Sequence, residues 1–246
     1  VRLRVLGNPG RYLAPLSGGS GYLVEGEAGE RILLDCGGGV REGLVRAGVS
    51  RLDAVVISHF HHDHALDLVT IRDALDARTQ LFLPAGERKR LDAMAQAFVF
   101  EGAFDLPGPV HEGASEGRVG GIALSFAPTQ HSAPSMATRL EERGAALAYA
   151  SDTAPCEGLR RLVRPGDALL MHALLPDLPP DQPHHRIHST AAAAARLARD
   201  AKAGALLLSH RYHGVPAADH VQAAAEAFPR ARLLGEDEIV DLRPEA

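Results

Sequence analysis

Apolar positions recur in two rhythms along the chain. Residues 1–6 alternate as a half-buried strand does, and Gly7-Asn8-Pro9-Gly10 breaks the pattern. Residues 21–24 and 31–35 form two apolar runs about the turn Glu25-Gly26-Glu27-Ala28-Gly29-Glu30, which predicts a pair of strands. Residues 40–47 follow with helical spacing and stop at Gly48. The run 53–57 is short, apolar and β-branched, the mark of a buried strand. Beyond it, apolar positions 68, 71 and 75 predict a helix over 65–75. Residues 80–84 read as a strand and 87–97 as a helix. Residues 101–117, dotted with glycine and proline, read mostly as loop.

The second half repeats these rhythms. A strand over 119–127, broken early by Gly120-Gly121, runs into Pro128-Thr129-Gln130-His131. Residues 136–140 and 145–150 predict a hairpin about Glu141-Glu142-Arg143-Gly144, and a helix follows over 155–163. A buried strand over 168–171 ends at His172, and a proline-rich loop spans 174–187. Ser189 or Thr190 caps an alanine-rich helix to Ala203, before Gly204. The strand 205–208, the helix 216–227 and strands near 231–234 and 238–242 complete the chain. Strand followed by helix in both halves predicts two β-rich halves with their sheets face to face and helices outside. A single domain over 1–246 is the expectation.

Composition narrows the class. Hydrophobic residues make up 46% and charged ones 23%, as in a soluble globular protein. No apolar run approaches the ~20 residues of a membrane span, and no charged start with an apolar core marks a signal peptide, so cytoplasmic residence is expected. Cys36 and Cys156 make neither a disulfide framework nor a thiolate metal site, and read as small buried hydrophobes. The net charge of −5 offers no basic face for a long polyanion. Arg88-Lys89-Arg90 and Arg160-Arg161 with Arg164 read as solvated helix faces. The glycine-rich stretch 17–21 lacks the Lys, the Ser/Thr and the following helix of a phosphate loop.

The chemistry concentrates in Ser58-His59-Phe60-His61-His62-Asp63-His64, between a predicted strand and a predicted helix. Open α/β sheets place their sites at such strand ends. A tag would sit at a terminus without a strand before it. Imidazole and carboxylate together suit zinc or a similar divalent ion, and a tight loop can aim His59 and His61 one way, Asp63 and His64 another. The glycines in Asp35-Cys36-Gly37-Gly38-Gly39 let backbone approach something closely. Asp35 itself reads equally as a brace for the motif or as a plain turn residue.

The motif His-x-His-x-Asp-His resembles the signature of the metallo-β-lactamase superfamily. That resemblance implies a four-layer αββα sandwich with its site at the sheets' shared edge, and asks for a His, an Asp and a His downstream. His131, Asp152 and His210 each follow a predicted strand in that order. Carried over, His59, His61 and His131 would bind one zinc, Asp63, His64 and His210 a second, and Asp152 would bridge them through its two oxygens. Manganese would also fit such ligands. Two ions about 3.5–4 Å apart share and acidify a water, whose hydroxide attacks. Asp63 takes a catalytic as well as a ligating part in this scheme.

The stretch His188-Ser189-Thr190 before the last ligand resembles the ribonuclease Z branch, where such a histidine protonates the leaving oxygen; that role falls on His188. His184 and His185 are weaker candidates. Two departures weaken tRNA as substrate. His172-Ala173-Leu174-Leu175 lacks the glutamate of that branch's His-Glu-Ala-Thr, and the short stretch between His131 and Asp152 leaves no room for its long arm. The resemblance therefore implies a phosphodiesterase for a cyclic nucleotide or other small phosphodiester. A carboxylic ester, thioester or lactone hydrolase, a tRNA 3′-processing endonuclease and a non-catalytic metal module are the alternatives. Nucleic acid is not the favoured partner, no membrane is implied, and a homodimer is left open. Asn8, Tyr12, Ser132, Ser135 and Arg211 are loop residues that could touch substrate.

Overall fold

The structure is a computed structural model and describes residues 1–8, 19–98, 107–178, 182–212 and 214–242. The loop expected around Tyr12 and part of that expected over 101–117 lie outside the described residues. In chain order come strands β1 (Arg2–Gly7), β2 (Gly21–Glu25) and β3 (Arg31–Leu34), helix α1 (Val40–Arg46), strand β4 (Ala54–Val56) and the single turn α2 (His62–Ala65). Strand β5 (Gln80–Leu83), helix α3 (Arg88–Phe98) and strands β6 (Val110–Glu112), β7 (Glu116–Val119), β8 (Ile122–Pro128), β9 (Met136–Glu142) and β10 (Ala145–Ser151) follow. Then come α4 (Glu157–Leu162), β11 (Ala168–His172), α5 (Ala191–Asp200), β12 (Ala205–Ser209), α6 (Ala217–Ala225), β13 (Arg232–Leu233) and β14 (Ile239–Asp241).

Two seven-stranded sheets result, ordered β14-β1-β2-β3-β4-β5-β6 and β13-β12-β11-β10-β9-β8-β7. In each, the central strands run parallel and hand over to helices, while hairpins supply the antiparallel pairs. The central runs are apolar at every position because both faces are covered. Along β3, Ile32 and Leu34 face the space between the sheets, and Leu33 packs with Val40 and Leu44 of α1. Along β11, Ala168 and Leu170 join the same intersheet core, and Leu169 and Met171 pack with Ala194, Leu197 and Ala198 of α5. One core between the sheets and one beneath each helical layer make the expected αββα sandwich.

Three expectations are corrected. The helix over 65–75 is instead the turn α2 followed by two 3₁₀ turns, Leu66–Val69 and Arg72–Ala74. Asp67 breaks it: its carboxylate accepts from the backbone N–H of Gly39 (2.8 Å) and Arg41 (3.0 Å), capping α1 from a distance, and Thr70 Oγ1 bonds its carbonyl. The single broken strand over 119–127 is the hairpin β7–β8, turning at Gly120 (φ +54°) and Gly121. Residues 110–112 and 116–117, within the stretch expected mostly as loop, belong to the edge strands β6 and β7, one on each sheet. Both are short and polar, so pattern alone does not mark them. Of the cysteines, Cys36 is buried and Cys156 only partly so, and both are free thiols.

We propose that the chain folds as one unit, because its last strand, β14, returns to pair with β1 after β13 has joined the other sheet. Thermal unfolding monitored by two probes should give one coincident transition, and two resolved transitions would show separately folding halves. Leu170→Ala, which empties a fully buried intersheet position, should cost about 2–5 kcal/mol in denaturant titration.

Candidate metal centre

The site assembles at one edge of the sandwich, where β4, β8, β10 and β12 all end. His59 leaves β4 through Ile57 and Ser58, His61 to His64 form the loop and turn α2, and His131 follows β8. Asp152 follows β10, His210 follows β12, and His188 lies just before α5. Two of the turns that aim these side chains are strained: Ser151 and His210 have φ of 55° and 54°. The glycines of 35–39 do approach backbone. A Cβ on Gly37 would lie 2.1 Å from the Asp63 carbonyl oxygen. The N–H of Ser20 donates to that oxygen (2.7 Å), and the N–H of Cys36 donates to the His64 carbonyl (2.7 Å).

Three imidazoles converge on one point. His59 Nε2 and His131 Nε2 lie 3.0 and 3.2 Å from His61 Nδ1. Ligands of a tetrahedral ion with bonds near 2.0–2.1 Å stand about 3.3 Å apart, so the spacing is that of a chelate. His131 Nδ1 donates to the Ile187 carbonyl (2.7 Å), which leaves its Nε2 as a lone pair. Burial, then neighbouring His64, holds His59 well below the usual imidazole range; burial and His131 lower His61. Neutral imidazole is the form that ligates.

The second group faces this one. Asp63 Oδ2 lies 3.2 Å from His210 Nε2 and 3.7 Å from His64 Nε2. His64 Nδ1 donates to Asp35 Oδ2 at 2.7 Å, and its buried Nε2 has no hydrogen-bond partner; His210 Nδ1 is likewise buried and without one. Buried nitrogens without partners are costly, and a divalent ion displacing the proton of His64 Nε2 would satisfy it. Burial alone would depress His64, but Asp35, helped by Asp152 and Asp63, lifts it to about 9. The same negative charge favours a dication. Asp63 and Asp152 are held well below the carboxylate range: burial opposes this, and the histidines, His210 foremost, outweigh it.

Asp152 stands between the groups. Its Oδ1 accepts from His172 Nδ1 (2.8 Å). Oδ2 alone faces both sides, 3.9 Å from His131 Nε2 and 3.8 Å from His64 Nε2. Oδ1, which His172 holds, also lies 3.9 Å from His210 Nδ1, so both carboxylate oxygens stand near candidate ligands. His188 Nδ1 lies 3.5 Å from the same Oδ2, with its ring edge-on to His131. All the residues singled out as ligands, and His188, are thus brought together.

One residue of the site escaped the sequence reading. His172 received no role there, yet burial, outweighing Asp152, lowers it to about 4, so it stays neutral and lies 3.2 Å from the Tyr22 hydroxyl. Its signal was available: a buried strand ending in histidine, as β12 leads into His210. Asp35 proves a brace, accepting from Ser58 N–H (2.7 Å), Ser58 Oγ (2.8 Å) and Tyr149 Oη (2.6 Å) besides His64. Of the substrate-reading candidates, Asn8 is structural: it accepts from the His210 N–H (2.9 Å) and donates to the Leu234 carbonyl (2.6 Å). Ser135 pairs with Thr129 (2.7 Å), and Arg211 donates to the Val215 carbonyl (3.0 Å), both bracing their own loops. Ser132 is exposed.

Fold and donor set together define a class. Residues 30–211 match the family described as Beta-lactamase superfamily domain, and the chain belongs to this superfamily, the metallo-β-lactamase fold of hydrolases. Within it, the chain is similar to ribonuclease Z of Mycobacterium marinum, 31% identical over 96% of each chain. The metallo-β-lactamase fold protein YhfI of Bacillus subtilis superposes with a TM-score of 0.82 at 21% identity, covering 98% of this chain and 99% of that one. A diphosphatase from the PhnP family superposes at 0.76 with 20% identity, covering 99% and 98%.

Asp35→Asn keeps the shape of the brace and removes its charge. Binding of the divalent ion, measured by competition with a chromophoric chelator, should weaken by about 10–100-fold while the fold persists. Unchanged affinity would show that Asp35 does not orient His64.

Proposed function

We propose that the chain is a dinuclear metal-dependent phosphodiesterase acting on small diesters. His59, His61 and His131 would hold one ion and Asp63, His64 and His210 the other, with Asp152 shared between the two. Zinc suits this set, and manganese is the second choice. The observation that carries the reading is the buried, unpaired Nε2 of His64, aimed toward Asp63 and Asp152. Bound ions would supply a water acidified toward neutrality and positive charge for the developing oxyanion.

The chain's own groups do the rest. Neutral His172 holds Asp152 Oδ1 and thereby aims Oδ2. Asp63, whose side chain is 23% exposed, is the carboxylate open to the mouth, and it would orient the attacking water. His188 carries a proton to the leaving oxygen, a task suited to an imidazole near neutral pH. Its place beside Asp152 and His131 supports that role.

Small diesters are preferred to RNA for physical reasons. The residues between His131 and Asp152 are spent largely on the hairpin β9–β10, closed tightly at Arg143 (φ 50°) and Gly144 (φ 83°). No projecting arm is left there to grip a folded RNA, and the net charge is −5. The name of the mycobacterial relative favours RNA 3′-processing as the second reading. Cytoplasmic residence is part of the proposal and rests on the two free thiols. No described helix is long and apolar enough to cross a membrane.

Metal analysis of protein prepared without chelators should return about two ions per chain, as a two-metal site requires; folded protein that binds none overturns the reading. Turnover should be found on bis-p-nitrophenyl phosphate or 2′,3′- or 3′,5′-cyclic nucleotides. Activity confined to a thioester or lactone, or to a tRNA precursor, would replace the proposed substrate class.

His188→Ala should keep its metals and lose about 10²–10⁴-fold on an alkyl diester, whose alkoxide needs a proton, and far less on a p-nitrophenyl ester. Equal losses on both would make His188 a positioning residue. His210→Ala should lose metal and both activities.

A further inference from the structure

Beside the metal centre the sandwich opens into a cavity of about 370 Å³. Pro84 and Ala85 wall it from the end of β5, Phe126 and Pro128 from the end of β8, and Pro134 and Met136 from the start of β9. None of the described residues lining it is charged. Its wall is continuous with the site. The loop carrying His131 runs from Pro128 to Met136, and the N–H of Met136 donates to the carbonyl of Ser58 at 3.0 Å, one residue before His59. Of the three hydroxyl-bearing residues on the wall, Thr129 and Ser135 are bonded to each other, Thr129 Oγ1 to Ser135 Oγ at 2.7 Å, which leaves Ser115 as the remaining hydroxyl.

An aromatic column ends at this cavity. His111 stacks on Phe82 with centroids 4.8 Å apart, and Phe82 meets Phe126 at 5.0 Å. Phe82 is buried, whereas Phe126 is partly exposed and lines the cavity. The prolines bring rigid apolar surface and no N–H donor. A charged phosphoryl group gains nothing here and belongs at the metals. An uncharged flat ring gains apolar burial and a stacking partner.

We propose that this cavity is a substrate subsite for an aryl group, a nucleobase or a simple aromatic ring, attached to the ester whose bond is cleaved at the metal centre. The proposal rests on the reading of the centre as a diesterase and adds the substituent that it prefers. With no free charged side chain on the wall, the subsite selects flatness and apolar surface rather than base identity.

The test is calorimetric titration of the metal-loaded protein with phenylphosphonate and methylphosphonate. Both present the same anion to the metals, so their ratio reads the cavity. Phenylphosphonate should bind about tenfold more tightly, the value of a well-placed aromatic contact. Phe126→Ala should bring the ratio toward one. Ala85→Trp, which fills the cavity from an exposed position on its rim, should do the same without removing a core ring. A wild-type ratio of one, or a ratio that neither variant moves, overturns the subsite. Hydrolysis of phenyl against methyl carboxylic esters reads the cavity independently of phosphorus. Aryl preference there with no phosphonate binding would discard the diesterase reading and keep the subsite; no aryl preference in either series discards the subsite.

Discussion

The carboxylate of Asp35 is the charge around which this molecule is arranged. It is fully buried, and it belongs to neither group of converging side chains. A carboxylate in that position must be surrounded by donors. They come from both sheets: Ser58 and His64 from the segment after β4, Tyr149 from β10 and Ser151 at its end. The hub therefore pins the two sheets together directly beneath the site, and it fixes which nitrogen of His64 is left to face outward. Asp35 adopts φ 58° to do so, a local cost that the surrounding bonds offset.

A second buried polar chain works from the other side. Tyr22 of β2 bonds His172 at the end of β11, and His172 bonds Asp152 after β10. Tyr149 also lies 3.4 Å from His172 Nε2, so the two chains meet. The rings of His64, His131 and His172 are thus oriented by bonds to protein groups rather than by an ion. Rigid donors cost little to reorganise, which favours tight and geometrically selective metal binding.

The mouth of the site combines two environments of opposite character. On one side stand the carboxylates and imidazoles, which attract cations and, through them, a phosphoryl anion. On the other stands an uncharged wall of prolines, Met136 and Phe126. A substrate fits both when it carries an anionic or polarised centre with a flat apolar substituent. The tight β9–β10 hairpin leaves no projecting platform between His131 and Asp152.

Much of this was legible in the sequence. The apolar runs 31–35, 53–57, 168–171 and 205–208 identified central strands, because strands covered on both faces have no polar positions to confuse the pattern. The motif from His59 to His64, and the polar residues that end buried strands at His131, Asp152 and His210, located the candidate ligands, because parallel strands deliver their carboxyl ends to one edge. Tertiary structure decided the rest. The helix predicted after the motif dissolved because Asp67 was recruited to cap α1, a contact between segments far apart in sequence. The edge strands β6 and β7 depend on neighbours rather than on their own polar residues. Asn8 and Ser135, plausible in sequence as substrate contacts, are consumed by bonds to distant backbone and to a loop partner. The promotion of His172 to a brace of the site, and the settling of Asp35 as a brace rather than a plain turn residue, follow from packing one sheet against the other. A sequence fixes which groups are available; which of their atoms remain unpaired is settled only when the second sheet arrives and occupies the others.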